Sequence, residues 1–153
     1  MKIIPKKSLG QHFLNSPGVL RKIVDASQIV QDETVLEIGP GTGVLTDELL
    51  KKSDRVIAIE KDDRAYALLG EKYATEIISG KLELLHGDIL ELDRATIGLK
   101  DGGYAVVANI PYYITGAILE SFLEHAPRPQ RMVLLVQKEV AERIVARDGK
   151  ESI

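Results

Sequence analysis

Cysteine is absent from the 153 residues, and histidine occurs only three times, at scattered positions. The first absence excludes disulfides, thiolate zinc sites and a cysteine nucleophile. The second leaves no H-E-x-x-H or other metal-ligand spacing, so no metal is expected. No apolar run approaches the ~20 residues that span a bilayer, so no membrane partner is expected. Met1 to Leu14 carries lysines but no apolar core, and does not read as a secretory signal. An excess of positive charge is missing too. With a net charge of −3, the chain as a whole does not attract nucleic acid electrostatically. Internal repeats and low-complexity tracts are also lacking. What is left is an ordinary globular composition of one-domain length. The lack of cysteine fits a cytoplasmic protein.

The stretch Thr34 to Gly43 organises what is present. It reads Thr-Val-Leu-Glu-Ile-Gly-Pro-Gly-Thr-Gly. A short apolar run ends abruptly in three glycines, and a helical pattern begins at once. This predicts a buried strand, a tight loop and a helix N-terminus. Glycines remove side chains where a ligand touches backbone, and a helix start offers free N–H groups. The spacing is G-x-G-x-G, not the G-x-G-x-x-G of a dinucleotide fingerprint. A second apolar run, Arg55 to Ile59, ends on Glu60. Glu60 lies about 20 residues past the loop, where an acidic strand tip meets a ribose. Loop and carboxylate together point to a nucleoside-bearing cofactor.

The remaining chain supplies a parallel sheet. Residues 1–15 read as a basic arm, and 16–153 as the domain proper. Ser16 and Pro17 suit the cap and first turn of a helix with Val19, Leu20, Ile23 and Val24 as its apolar stripe. Leu45, Leu49 and Leu50 mark a crossover helix. Asp62 or Asp63 caps another, with Ala65, Leu68, Leu69 and Tyr73 inward. Lys81 to Leu85 is a weaker strand signal, Tyr104 to Ala108 a stronger one. Thr115 is positioned to cap a helix carrying Ile118, Leu119, Phe122 and Leu123. Met132 to Val136 is wholly apolar and is expected to be buried on both faces. A last helical pattern runs from Gln137 to Arg147. Strands and helices alternating in this way predict an α/β fold built from right-handed βαβ units.

Ligands of open parallel sheets bind beyond the carboxyl ends of the strands. The glycine loop, Glu60, Asp88 and Asn109 all fall at such ends. Asp88 would accept a hydrogen bond from an exocyclic amine of an adenine ring; alone it reads equally well as a turn aspartate. Asn109-Ile110-Pro111-Tyr112 carries more. Asn109 offers a neutral carbonyl oxygen, Pro111 fixes the turn and lacks an N–H, and Tyr112 offers a face for stacking. The Asn109 oxygen and the Ile110 carbonyl would accept both N–H bonds of an aromatic amine. A plain strand-ending turn is the competing reading.

These residues together resemble the ribosomal RNA adenine dimethyltransferases, a class I family dependent on S-adenosyl-L-methionine. Lys7 to Leu14 resembles the family's amino-terminal motif, and Glu37 to Gly43 its cofactor loop. Glu60, Gly87-Asp88 and Asn109 to Tyr112 fall at its ribose, adenine and target-base motifs. Gln137 to Arg143 resembles its signature after the fifth strand. The resemblance implies a Rossmann-like domain with helices on both faces of a largely parallel sheet. It implies cofactor contacts from Gln11, His12 and Leu14, from Gly39 and Gly41 at the methionine end, from Glu60 on the ribose, and from Asp88 and Ile89 at the adenine. Asn109 would touch both cofactor and target amine. The implied reaction dimethylates two adjacent adenines in a hairpin near the 3′ end of small-subunit rRNA during ribosome assembly, with that rRNA or the pre-ribosomal subunit as partner.

Two departures are visible. Ile110 stands where the family usually has leucine. The chain stops at Ile153, where the family continues into final strands and a small helical domain that helps hold RNA. The resemblance therefore implies a catalytic domain lacking those parts, with a sheet edge open to self-association. Other readings are a cofactor-binding domain without turnover, an RNA-binding assembly factor on the same fold, a DNA-adenine or protein-glutamine methyltransferase, and an NAD-dependent dehydrogenase. Isoleucine at 110 and the amino-terminal motif count against the methyltransferases of DNA and protein. The glycine spacing counts against the dehydrogenase.

Overall fold

Ser16 Oγ accepts the Val19 N–H at 3.5 Å, and Pro17 takes the first helical position. Helix α1 (Pro17–Ser27) therefore starts where its cap predicts. A computed structural model describes residues 16–146; the expected contacts of Gln11, His12 and Leu14 lie outside the described residues. From α1 the chain alternates through β1 (Thr34–Ile38), α2 (Val44–Lys52), β2 (Arg55–Glu60), α3 (Asp63–Lys72), α4 (Ala74–Ile78) and β3 (Leu82–His86). It continues through β4 (Tyr104–Asn109), α5 (Thr115–Glu124), β5 (Arg131–Leu135) and α6 (Lys138–Val145).

All strand pairs are parallel, in the order β3-β2-β1-β4-β5. The order reverses between β1 and β4, which pair from Thr34 with Tyr104 to Ile38 with Ala108. That reversal splays the two following loops apart and opens a crevice. Side chains alternate to the two faces. Val35, Val56, Ala58 and Val107 pack against Ile23, Leu49 and Leu69 of the helices on one face. Leu36, Ile57, Ile59 and Val106 pack against Ile118 and Phe122 of α5 on the other, together with Ile89 and Leu99 from the β3–β4 connection. The result is three layers, with strands buried on both sides. No described helix is long and apolar enough to cross a membrane.

Two expectations need correction. Thr115 does not cap α5: it is the first residue of that helix, behind a 3₁₀ turn at Tyr112–Ile114. Its hydroxyl instead donates back to the Pro111 carbonyl at 3.3 Å. The helix expected after Asp62 is present as α3, with Ala65, Leu69 and Tyr73 buried; Tyr73 ends it with its hydroxyl turned toward Gly43, and the short α4 follows. The apolar strand β5 is only half-buried throughout. Among the described residues it pairs with β4 alone, so it is an edge, and α6 beyond it leaves Ile144 and Val145 exposed.

Candidate cofactor and active site

A single cleft runs across the carboxyl ends of β1, β2 and β4 and the loop after β3. Gly39 and Gly41 line its floor, with φ of +67° and +59°. These are left-handed conformations that cost other L-residues about 1–2 kcal/mol. The Gly39 N–H donates across to the Ile59 carbonyl at 2.9 Å, which pins the start of the loop to β2. Gly43, φ +81°, ends the loop as the cap of α2. A Cβ there would lie 2.4 Å from the Tyr73 hydroxyl oxygen. That hydroxyl is 2.6 Å from the Gly43 carbonyl and 2.7 Å from Asp47 Oδ1, so one hydrogen serves two acceptors. Lys72 reaches Asp47 Oδ2 at 2.8 Å. The loop is thus clamped from α3 as well as from β2.

Glu60 is buried, not a solvated strand end. Its Oε2 accepts the Gly41 N–H at 2.9 Å and its Oε1 the Asp62 N–H at 2.8 Å. Each carboxylate oxygen has a second lone pair, so a ligand diol can still be accepted. Asp62 in turn caps α3 by accepting the Arg64 and Ala65 N–H groups, each at 3.0 Å.

Asp88 and Ile89 both line the cleft after β3. Asp88 Oδ1 accepts the Leu90 N–H at 3.0 Å, and Oδ2 meets Lys61 Nζ at 2.5 Å. Burial pushes the Asp88 carboxyl up, but the Lys61 ammonium and the Leu90 N–H outweigh it and hold the group below its ordinary value. Asp88 therefore faces the cleft as a charged acceptor. The same contact raises the Lys61 ammonium.

Asn109 ends β4, half-buried and facing the cleft, with buried Ile110 and half-buried Pro111 beside it. Tyr112 is not part of the lining. The 3₁₀ turn sends its ring outward, 54 % exposed, and brings Tyr113 and Ile114 to the cleft instead. The two tyrosine rings meet edge to face, 5.8 Å apart at 88°.

Sequence reasoning missed one cleft residue of note, Glu37. It sits on β1 two residues before Gly39, fully buried, and its Oε2 accepts the Thr46 hydroxyl at 2.7 Å. Its signal was available: Glu37 is the only ionisable residue within β1, inside a strand covered on both faces.

An acidic tip on β2, a glycine loop after β1 and an amide at the end of β4, gathered around the sheet's point of reversal, define a Rossmann-like class I methyltransferase domain. Within that class the chain belongs to the ribosomal RNA adenine dimethylase family, whose model matches residues 4–153. A ribosomal RNA small subunit methyltransferase A from Dehalococcoides mccartyi strain CBDB1 is 49 % identical over 144 residues, covering 94 % of this chain and 48 % of that protein. The chain spans about half the length of the curated relatives it matches. Among solved structures, a dimethyladenosine transferase from Plasmodium falciparum superposes with a TM-score of 0.75 at 35 % identity. It covers 91 % of this chain and 48 % of that one. The 23S rRNA methyltransferase ErmE superposes with a TM-score of 0.78 at 30 % identity, covering 92 % and 54 %.

Proposed function

We propose that this chain carries the catalytic site of an enzyme that transfers methyl groups from S-adenosyl-L-methionine to the exocyclic amine of adenine in ribosomal RNA. The observation that carries the reading is the shared cleft of Asn109, Glu60 and the glycine loop. The residues present fit the cofactor: the loop leaves no side chain at Gly39 and Gly41, and the Glu60 and Asp88 carboxyl groups in the lining suit a cationic ligand. Glu60 would hold the ribose hydroxyls, Asp88 and Ile89 the adenine, and Gly39 and Gly41 the methionine end. Gln11, His12 and Leu14 would close the site from the arm.

The cofactor supplies a methyl group on a sulfonium, which is already electrophilic. The protein's task is then mainly alignment. The Asn109 side-chain oxygen and the Ile110 carbonyl would accept the two N–H bonds of the target amine and aim its lone pair. Pro111 holds that carbonyl in place. A neutral amide suffices, because the amine loses its extra proton readily after attack. The target adenine has to leave its stack to reach the cleft, and Tyr112, exposed between the lining residues Pro111 and Tyr113, would turn inward to stack on it.

The substrate we infer is a pair of adjacent adenines in a hairpin near the 3′ end of small-subunit rRNA, met in the cytoplasm during ribosome assembly. Its support is the 49 % identity to a small-subunit enzyme against 30 % to the 23S enzyme. The test is calorimetric titration of the 153-residue chain with S-adenosyl-L-methionine, with NAD as control, followed by transfer assays on an adenine-containing hairpin. Binding of S-adenosyl-L-methionine alone supports the reading; binding of NAD alone would overturn it. Asn109→Ala is expected to abolish transfer with the fold intact, and full transfer by that variant would remove Asn109 from its role.

A further inference from the structure

The loop between β1 and α2 holds its shape against its own composition. Gly39, Gly41 and Gly43 all sit at positive φ, and glycine loses more backbone freedom on ordering than any other residue. Such a loop stays formed without a ligand only where its neighbours hold it. At its start the Gly39 N–H donates to the Ile59 carbonyl and the Gly41 N–H to Glu60 Oε2, each at 2.9 Å. At its end the hold comes from the last turn of α3, which none of the roles above uses. Buried Tyr73 shares its hydroxyl hydrogen between the Gly43 carbonyl at 2.6 Å and Asp47 Oδ1 at 2.7 Å. Lys72 Nζ donates to Asp47 Oδ2 at 2.8 Å and to the Thr42 carbonyl at 3.4 Å, and lies 4.8 Å from the Tyr73 ring centre. Burial first, and Asp47 next, hold the Tyr73 hydroxyl above its ordinary value, so it keeps its hydrogen at neutral pH.

We propose that Tyr73 and Lys72 are positioning residues for the cofactor's amino-acid end: through the Thr42 and Gly43 carbonyls they keep the glycine loop in its binding shape before the ligand arrives. The proposal rests on the S-adenosyl-L-methionine reading above. Neither side chain lines the cleft, whereas Thr42 and Val44 do, so both act through the loop. Each carbonyl they hold belongs to a rigid, planar peptide. The Gly43 carbonyl shares its peptide with the Val44 N–H, at the first residue of α2, so fixing one fixes the other. The Thr42 carbonyl shares its peptide with the Gly43 N–H, which donates to the Pro40 carbonyl at 2.9 Å and closes the turn. Both peptides at the end of the loop are thus set from α3. The cost of ordering the glycines then falls on folding and not on binding, which raises affinity without any new ligand contact. The adenosyl part of the ligand is assigned to Glu60, Asp88 and Ile89 and does not depend on these two peptides.

The test is calorimetry of S-adenosyl-L-homocysteine binding to the 153-residue chain and its variants, with 5′-methylthioadenosine, which shares the adenosyl group but lacks the amino-acid tail, as the second ligand. Tyr73→Phe keeps the ring and removes only the hydroxyl. It should bind S-adenosyl-L-homocysteine about fivefold more weakly, the usual worth of one hydrogen bond, with affinity for 5′-methylthioadenosine unchanged. Hydrogen exchange at the Gly43 amide should be faster in the free variant and return to the natural rate once S-adenosyl-L-homocysteine is bound. Lys72→Met keeps the stem and removes a partly exposed ammonium, so its loss should be smaller, about threefold and again confined to the ligand with the tail. Lys72→Arg, which can still reach Asp47, should recover most of that loss. The lysine variants decide the matter if Tyr73→Phe does not fold. Equal losses for both ligands, or unchanged affinity for S-adenosyl-L-homocysteine in the folded variant, overturn the proposal and leave the cofactor reading standing. Failure of the folded natural chain to bind either ligand overturns both.

Discussion

The Gly41 N–H donates to Glu60 Oε2 at 2.9 Å, across the tips of β1 and β2. The carboxylate proposed for the ribose thus first shapes the loop that borders the cofactor. Its other oxygen holds the Asp62 N–H, which orients the cap of α3. Both donors point at one buried acid, so its two functions cannot be separated by distance alone.

Glu60→Gln separates them chemically. The amide retains one acceptor oxygen and must turn its NH₂ toward either Gly41 N–H or Asp62 N–H. One donor then faces another in a buried site, at a cost on the order of 1–3 kcal/mol. We expect a lower melting temperature, faster hydrogen exchange at the Gly41 amide and weaker cofactor binding. Weak binding with the Gly41 amide as protected as before would assign Glu60 to the ligand alone.

The loop glycines are unequal. A Cβ on Gly39 meets nothing within 4 Å, so Gly39→Ala bears only the left-handed backbone penalty, about 1 kcal/mol. A Cβ on Gly43 meets the Tyr73 hydroxyl at 2.4 Å and Leu69 Cδ2 at 3.0 Å, in addition to its φ of +81°. Tyr73 is buried and held through that hydroxyl, so it cannot simply swing aside. Gly43→Ala should lose about 3 kcal/mol or more. Urea unfolding of the two variants compares them directly; equal losses would contradict the clamp.

Much of this was legible because the relevant patterns are local. An apolar run ending in Gly-Pro-Gly, and another ending in Glu60, need only sequence spacing to be read as neighbouring strand tips. The parallel alternation followed from the same runs. Burial of β5 was misjudged because an apolar strand looks alike at a sheet's centre and at its edge; only the count of neighbours distinguishes them. The break at Tyr73 and the outward turn of Tyr112 depend on where a side chain finds its partner in space. Glu37 was passed over within a motif read for its glycines.

Arg94 was equally invisible, since nothing in its flanking sequence announces a partner. It lies in the β3–β4 connection and is buried. Its guanidinium donates to the Ser121 hydroxyl at 2.8 Å, to the Ser121 and His125 carbonyls at 2.9 and 2.7 Å, and to the Pro127 carbonyl at 3.4 Å. It also lies 4.3 Å from the Phe122 ring centre. The His125 and Pro127 carbonyls lie just past the end of α5, and the Ser121 carbonyl accepts the His125 N–H as well, at 3.3 Å, so Arg94 ties down the last turn of the helix and the chain that leaves it. Arg94→Ala should cost about 3–5 kcal/mol, measured by thermal unfolding. Lysine cannot reproduce the fork, so Arg94→Lys should recover only part. The site lies at the far end of α5 from Asn109, and cofactor affinity of the folded variant should be unchanged. A large affinity loss at intact stability would contradict a structural role.

Glu37 also predicts how stability depends on pH in the absence of ligand. Its ordinary value of 4.5 holds in the unfolded chain, and burial first of all raises it to about 8 in the folded one. Between those values the folded state binds a proton that the unfolded state has lost. Stability contributed by this group therefore falls as pH rises through that window, by up to about 1.4 kcal/mol per pH unit, and levels off above the folded value. Below the ordinary value both states are protonated and the effect vanishes. Asp88 acts oppositely: its lowered value stabilises the fold above the ordinary carboxylate range and is lost only as pH falls through the folded value, so the two windows do not overlap. Glu37→Gln mimics the protonated acid at every pH. Its stability relative to the natural chain should rise steadily from pH 5 to 8, and then stay constant. Unfolding curves at several pH values measure this difference. A constant difference across that range would mean that Glu37 is ionised in the folded chain, with its charge satisfied.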